Sequence, residues 1–324
     1  MQRSRSVTAR PLLFGQAGGR LLQILLLLSL LASSGCAWLD ARQRELIYRP
    51  TPGSPAELTD LRAGEEHYFV NLPANARPPD DSDHQPLTAD AGTVNNTQRI
   101  ELWWLPHPDK SAPTLLYLHG TFRTVPQNRH KIDALREAGF AVLAVEYRGW
   151  GLSTAITPSE QTLVQDADAA WAELQRREPR AAQRVIYGHS MGSGVAVDLA
   201  SRLKARQDYG ALILESAFTS FADVASEAGL FASLLLHLNN ERFASIDKIT
   251  HVHAPLLMIH GSADTTIPIR LGRQLFMAAN PPKRWLNIHD GAHSDLQQIG
   301  HAQYQATLQR FKNDYLSGSS SAKP

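Results

Sequence analysis

The sequence predicts a doubly wound α/β fold, with a mostly parallel sheet of about eight strands covered by helices on both faces. Three observations carry this. From residue 113 onward, short apolar runs with few alternating polar residues recur. Each is followed by a stretch of helical spacing, the pattern of a parallel sheet buried on both sides. One of these runs, "RVIYGHSMGSGVAVDLA" (184–200), passes through a serine between two glycines straight into a helix. No repeat of 20–50 residues is visible, which argues against a solenoid. The 324 residues, 43% apolar and 19% charged, suffice for one large α/β domain.

Taken in order, the chain opens with a leader. Arginines precede "LLQILLLLSLLASSGCAWLD", with an apolar stretch from Leu21 to Ala32 and then small residues, the build of a signal peptide over 1–35. The single cysteine, Cys36, follows "SSG" directly. This resembles the lipobox of bacterial lipoproteins, where the leader is cut before a cysteine that is then acylated, although Ser33 stands where leucine is commonest. Multiple acylation is the requirement for a stable anchor, because one chain holds only marginally. By the same resemblance, Ala37 in place of Asp after the cysteine implies the outer membrane, facing the periplasm. Two other readings stay open. Residues 21–39 are uncharged and long enough for an uncleaved inner-membrane anchor, and a plain cleaved signal would leave Cys36 a buried thiol.

Residues 36–64, with Pro50, Pro52 and Pro55, read as a lipidated N-terminus and extended arm. The main domain is expected over 65–318. It begins with strands at 67–72 ("HYFVNL") and 99–106 ("RIELWWLP"), separated by a polar, proline-rich mobile loop over 73–98. Strands then follow at 114–120, 141–151 (with its turn), 184–188, 211–216, 255–261 and 284–291. Helices are expected at 129–140, 162–177, 192–206, 269–279 and 301–316. The interval 218–253 is longer than one crossover needs, and its Leu230, Phe231, Leu234, Leu235, Leu236 and Leu238 give an apolar surface. It is read as a small helical lid, with an ordinary packing helix as the alternative. Residues 319–324 read as a disordered tail.

Gly188-His189-Ser190-Met191-Gly192 has the form G-x-S-x-G, in the strand–turn–helix setting that gives the motif its meaning. The serine must sit on a strained turn to raise its oxygen above the sheet, and side chains at Gly188 and Gly192 would collide with neighbouring backbone. A serine hydroxyl also needs a base. Downstream, "PLLMIHGSADTTIP" puts Asp264 just past a buried strand, and "WLNIHDGAHSDL" puts His293 in a loop past the last one. Both lie at strand C-terminal ends, where open α/β sheets bind ligands. Asp264 would hold His293 in the tautomer that accepts the Ser190 proton. His289 and Asp290 are weaker rivals; Asp295 is expected to brace the His293 loop and Asp166 to lie on a helix surface or pin a loop. His251 and His253 form H-x-H without further ligands at zinc-like spacing. For a developing oxyanion the candidates are the backbone N–H of Met191 and of Thr121, with Phe122 as alternative to Thr121; Gly120 allows close approach.

From about residue 99 to 316, "LHGTFRT", "AVEYRGWGLS", "YGHSMGSGVA", "LILESAFTS", "HGSADTTIP" and "GAHSD" appear in the order found in α/β-hydrolases, and the chain resembles that superfamily. "ESAFTS" and H-S-D, where relatives have H-N-D, make it similar to the BEM46-like and ABHD13/ABHD17-like branch, which has members with protein- or lipid-acyl hydrolase activity. Glu146 stands where that pattern usually has Asp, and the first 98 residues fall outside the resemblance except for "LIYRPTP".

The expectation is therefore a serine hydrolase of carboxylic esters or thioesters, working through Ser190, Asp264 and His293 without metal or organic cofactor. Its partners would be a small acyl ester, thioester or lipid-like substrate, and a membrane through the lipid anchor. A peptidase with the same triad and a catalytically vestigial envelope-binding lipoprotein are the alternatives. The charge balance of 32 basic and 31 acidic residues, with four of the arginines inside 1–35, gives no bias toward nucleic acid.

Overall fold

A computed structural model describes residues 38–53, 61–72, 98–228 and 241–316. The leader and Cys36, nearly all of the 73–98 loop, the centre of the 218–253 segment and the tail lie outside the described residues. Contacts separate a unit ending at Gln43 from one beginning at Arg44, and the second contains the sheet.

The segment expected as an extended arm differs from that reading. Residues 38–48 are helical (α1), because "WLDARQRELIY" contains neither Pro nor Gly and is rich in good helix formers. The prolines act only afterwards. Arg49 adopts φ 47°, its N–H donates to the Glu45 carbonyl at 2.9 Å, and Pro50 follows, which is how a helix is stopped.

The sheet has eight strands: β1 (Glu66–Leu72), β2 (Gln98–Leu105), β3 (Thr114–Leu118), β4 (Ala141–Glu146), β5 (Arg184–His189), β6 (Ala211–Glu215), β7 (Leu256–Gly261) and β8 (Lys283–Ile288). Their order is β1-β2-β4-β3-β5-β6-β7-β8. β2 pairs antiparallel with β1 and β4, and the remaining ladders are parallel. β3 to β7 are buried along their whole length, as uninterrupted apolar runs require.

Alternate side chains feed two cores. On one face Leu116, Leu118, Ile186, Leu212 and Leu214 pack with α3 (Glu160–Arg177) and α4 (Met191–Arg202). On the other, Leu115, Tyr117, Val185, Tyr187 and Ile213 pack with α2 (Arg129–Glu137) and the last helix, His301–Tyr315. Ser159 starts α3 by accepting from the Thr162 N–H while the Thr162 hydroxyl accepts from the Ser159 N–H, satisfying two end groups at once.

Of the segment read as a lid, helix α5 (Phe221–Ala228) and a short helix Ser245–Lys248 are described. Residues 241–243 are fixed to the main body. The Glu160 carboxylate accepts from the N–H of Arg242 and Phe243 at 2.8 and 2.9 Å, and the Tyr48 hydroxyl donates to Glu241. Among the described residues no helix is long and apolar enough to cross a membrane.

Candidate active site

Because β3 lies between β4 and β5, the chain runs outward in opposite directions from it, and the loops after β3 and β5 border a crevice where such sheets bind ligands. Ser190 stands at this point. Its backbone is at φ 56°, ψ −125°, a region a side chain adopts only when its surroundings force it. The forcing is visible in the glycines. A Cβ on Gly192 would lie 2.1 Å from the Leu118 carbonyl oxygen, and one on Gly188 would lie 2.3 Å from that of Gly192. Strand, turn and helix are thus packed backbone to backbone, leaving the serine to project upward. Gly120 brings the β3 loop alongside, where a Cβ would sit 3.0 Å from that of Ser190.

His293 lies between the serine and Asp264. The Ser190 hydroxyl donates to His293 Nε2 at 2.8 Å, and His293 Nδ1–H donates to Asp264 Oδ2 at 2.8 Å. The other carboxylate oxygen accepts from the N–H groups of Thr266 and Ile267 at 3.0 and 2.8 Å. Burial alone would raise the Asp264 pKa. The hydrogen bonds from His260 and His293, the charge of His293 and the Ile267 N–H outweigh it and hold the carboxyl well below the usual range. The ionised carboxylate is therefore the favoured form beside His293.

The backbone carbonyl of His293 is fixed as well. His189 Nε2–H donates to it at 2.9 Å and the Ser216 hydroxyl at 3.3 Å. Burial first, and the Lys131 charge second, push the His189 pKa down to about 3, so its ring stays neutral and keeps Nδ1 unprotonated. Asp295 accepts from the Ala292 N–H at 2.7 Å and so braces this loop from the far side.

The N–H of Met191 is the first of α4 and has no intrahelical acceptor. Thr121 lines the same cavity as Ser190 and His293, in a loop with several braces. Trp150 Nε1–H donates to the Thr121 carbonyl at 3.0 Å, and Val125 N–H donates to Glu146 Oε2 at 2.7 Å. His119 lies fully buried with Nδ1–H on the Gly120 carbonyl at 2.6 Å and Nε2 3.0 Å from Glu146 Oε1. Glu146 thus supports the loop that presents Thr121. A small cavity of about 20 Å³ opens here between Thr121, Phe122, Arg123, Asn128, Ser190 and His293.

The remaining candidates lie elsewhere. His289 and Asp290 pair with each other on the surface with side chains 85% and 80% exposed. Asp166 pins the turn after β4, accepting from Arg148 N–H at 2.8 Å and Nε–H at 2.6 Å. Among the described residues no group of three metal-ligating side chains occurs, His251 and His253 included. Three contributors escaped sequence reasoning. His189 is an unspecified position of G-x-S-x-G, Ser216 lies 77 residues from the carbonyl it reaches, and His260 contacts Asp264 at 3.5 Å. The histidine of "MIHGSAD" interrupting a buried apolar strand was the one legible signal.

Comparison with known proteins fits this geometry. The family model described as "Serine aminopeptidase, S33" matches residues 109–247. An uncharacterised protein of Mycobacterium tuberculosis is 31% identical over 282 residues, covering 85% of this chain and 89% of that protein. A lysophosphatidylserine lipase of Danio rerio is 33% identical over 221 residues, 62% of this chain and 56% of the lipase. Among solved structures, an esterase of Pyrococcus furiosus superposes with a TM-score of 0.59 at 17% identity, covering 83% of this chain and all of that one, a likeness of fold.

Proposed function

The chain belongs to the serine hydrolases of the α/β-hydrolase superfamily, and from that premise we propose that it cleaves carboxylic ester or thioester bonds through Ser190, His293 and Asp264. The observation that carries the reading is the continuous relay from Ser190 Oγ through His293 to Asp264, with both links at 2.8 Å. Ser190 Oγ attacks the acyl carbonyl while His293 Nε2 takes its proton. The developing oxyanion is received by the N–H groups of Met191 and Thr121, an arrangement in which each donor is worth about 10²–10³ in rate. His293 then passes the proton to the leaving oxygen or sulfur, and water, activated by the same ring, releases the acyl group. Asp264 keeps the ring in one tautomer and compensates its charge.

The names of relatives, an esterase and a lysophosphatidylserine lipase, support an acyl-ester or lipid-like substrate. "ESAFTS" and H-S-D support the BEM46-like branch in particular. Envelope attachment through acylated Cys36 belongs to the same proposal, with Cys36→Ser expected to leave the chain unlipidated and free of membranes on fractionation; retention on membranes with the leader still attached would favour the anchor helix. A second reading, an aminopeptidase, is favoured by the description of the matching family model. Turnover of a chain-length series of p-nitrophenyl acyl esters, beside aminoacyl p-nitroanilides, separates the two. Ester hydrolysis that falls at least ~1,000-fold in Ser190→Ala is the expected result. Amide hydrolysis without ester preference would replace it with the peptidase.

A further inference from the structure

Near its end β7 carries a buried histidine that the proposed chemistry does not use. His260 is wholly shut off from solvent, with its ring stacked 6.0 Å from that of Trp285 on β8. Its Nε2 lies 2.9 Å from the Ile267 carbonyl oxygen and 3.5 Å from Asp264 Oδ2. A carbonyl and an ionised carboxylate only accept, so this nitrogen carries the hydrogen. Nδ1 is buried and meets no hydrogen-bond partner among the described residues. A proton there would leave an N–H without an acceptor in a place closed to water, which is costly. The ring is therefore neutral, with its one hydrogen directed at the loop of the triad acid.

The surroundings keep it in that state. Gly272, in helix Ile269–Ala278, brings the helix against the ring, where a Cβ would lie 2.4 Å from Nδ1 and 2.9 Å from Cε1. The nitrogen without a partner thus faces a packed helix with no space for water. On the opposite side, ring and carboxylate share one loop. Ile267 N–H donates to Asp264 Oδ1 at 2.8 Å, and the carbonyl of the same residue receives His260. Holding Ile267 therefore holds Oδ1, which leaves Oδ2 aimed at His293 Nδ1–H, 2.8 Å away. Gly261, next after His260, would put a Cβ 2.1 Å from the Gly291 carbonyl oxygen, so this strand end also packs directly on the loop of His293. Burial would raise the Asp264 pKa, and the His260 hydrogen bond is the foremost of the interactions that lower it.

We propose that His260 is the positioning residue of the triad acid, a neutral donor between the Ile267 carbonyl and Asp264 Oδ2 that holds the carboxylate in the orientation from which it grips His293. It touches neither substrate nor the reacting atoms and acts through Asp264 alone. Without this donor the 264–267 loop loses its tie to β7, and the carboxylate is free to turn away from the imidazole. A misplacement of about 1 Å in such an arrangement can cost on the order of 10²-fold in rate. The meaning of the role for turnover rests on the hydrolase reading of Ser190.

Two substitutions in the full chain separate the donor from the bulk of the ring. His260→Gln keeps an N–H near the position of Nε2, and His260→Leu fills the space without one. On p-nitrophenyl esters His260→Leu should lower kcat about 10–100-fold with KM within about twofold of wild type, while His260→Gln stays within about threefold in kcat. Nuclear magnetic resonance adds a readout that needs no turnover. The low-field proton signal of His293 Nδ1–H, identified by its loss in His293→Gln, should persist in His260→Gln and vanish in His260→Leu. In wild type labelled with nitrogen-15 histidine, the ring absent from His260→Gln should carry hydrogen on Nε2 alone near neutral pH. The proposal is overturned if both variants lower kcat equally, or if His260→Leu keeps the wild-type kcat and low-field signal. It is also overturned if His260 Nδ1 carries hydrogen, a result open to wild type even where a variant fails to fold. Wild type without esterase turnover but with this pattern of signals would strike the hydrolase reading and support the positioning role.

Discussion

His293 is gripped twice, at its ring by Ser190 and Asp264 and at its carbonyl by His189 and Ser216. Each grip yields a test. Asp264→Asn places an amide where the imidazole N–H needs an acceptor and should lower kcat about 10³–10⁴-fold with the fold intact by circular dichroism; near-wild-type turnover would remove Asp264 from the mechanism. The second test is thermodynamic. Burial, followed by the Lys131 charge, lowers the His189 pKa from 6.5 to about 3, so below about pH 6.5 the unfolded chain takes up a proton that the folded protein declines. Stability from this residue is therefore full above pH 6.5 and is lost as pH falls toward 3. His189→Gln cannot titrate, so its deficit in unfolding free energy relative to wild type should shrink by roughly 3 kcal/mol between pH 7 and pH 4. A deficit independent of pH would contradict the buried neutral ring. Sequence alone could offer Ser190, Asp264 and His293 because each follows the end of an apolar run, in an order that chemistry demands. It could not offer His189 or Ser216 as supports, because their partner is a backbone carbonyl brought near only by folding.

At the scale of elements, the contact between β3 and the start of α4 is a backbone-to-backbone approach with no slack. Gly192 faces backbone, not side chains, so an added methyl has no flexible neighbour to push aside. Gly192→Ala should cost about 3 kcal/mol, read as a lowered denaturation midpoint. Gly194→Ala should cost less, since its Cβ would meet the Phe243 ring 2.7 Å away, which is a side chain able to shift. The strands were legible because a buried parallel strand has no polar face to confuse the pattern, and their ladders follow. α1 was not, since three nearby prolines suggested extension and only the eleven residues before them decide the matter.

For the whole molecule, a buried polar cluster ties together parts far apart in sequence. Lys131 of α2 pairs with Glu215 at the end of β6 and its Nζ donates to Gln297 Oε1 at 3.0 Å. The second oxygen of Glu215 accepts from the Tyr187 and Tyr304 hydroxyls at 2.7 and 2.9 Å. Burial would raise the Glu215 pKa, but the Lys131 charge and the hydrogen bonds from Lys131 and Tyr187 lower it overall. The backbone carbonyl of the same residue accepts the Ser190 N–H at 3.0 Å, so the cluster underlies the reactive turn. Lys131→Met leaves a buried carboxylate uncompensated and should destabilise the protein by about 3–5 kcal/mol, whereas Lys131→Met combined with Glu215→Leu should recover part of that loss. Additive losses in urea unfolding would mean the two groups do not form a coupled pair. None of this was legible in sequence, where Lys131 reads as a solvated residue on a helix.

The left-handed backbone at Ser190 has an evolutionary consequence. Glycine adopts φ 56° without the penalty of a side chain, about 1–3 kcal/mol. Ser190→Gly should therefore unfold at a higher temperature than the natural protein while lacking a nucleophile. A lineage released from selection for activity would find that substitution favourable rather than neutral. Wherever serine is kept at this position in a lineage, it records continued use, and the fold carries its own gauge of whether its chemistry is still required.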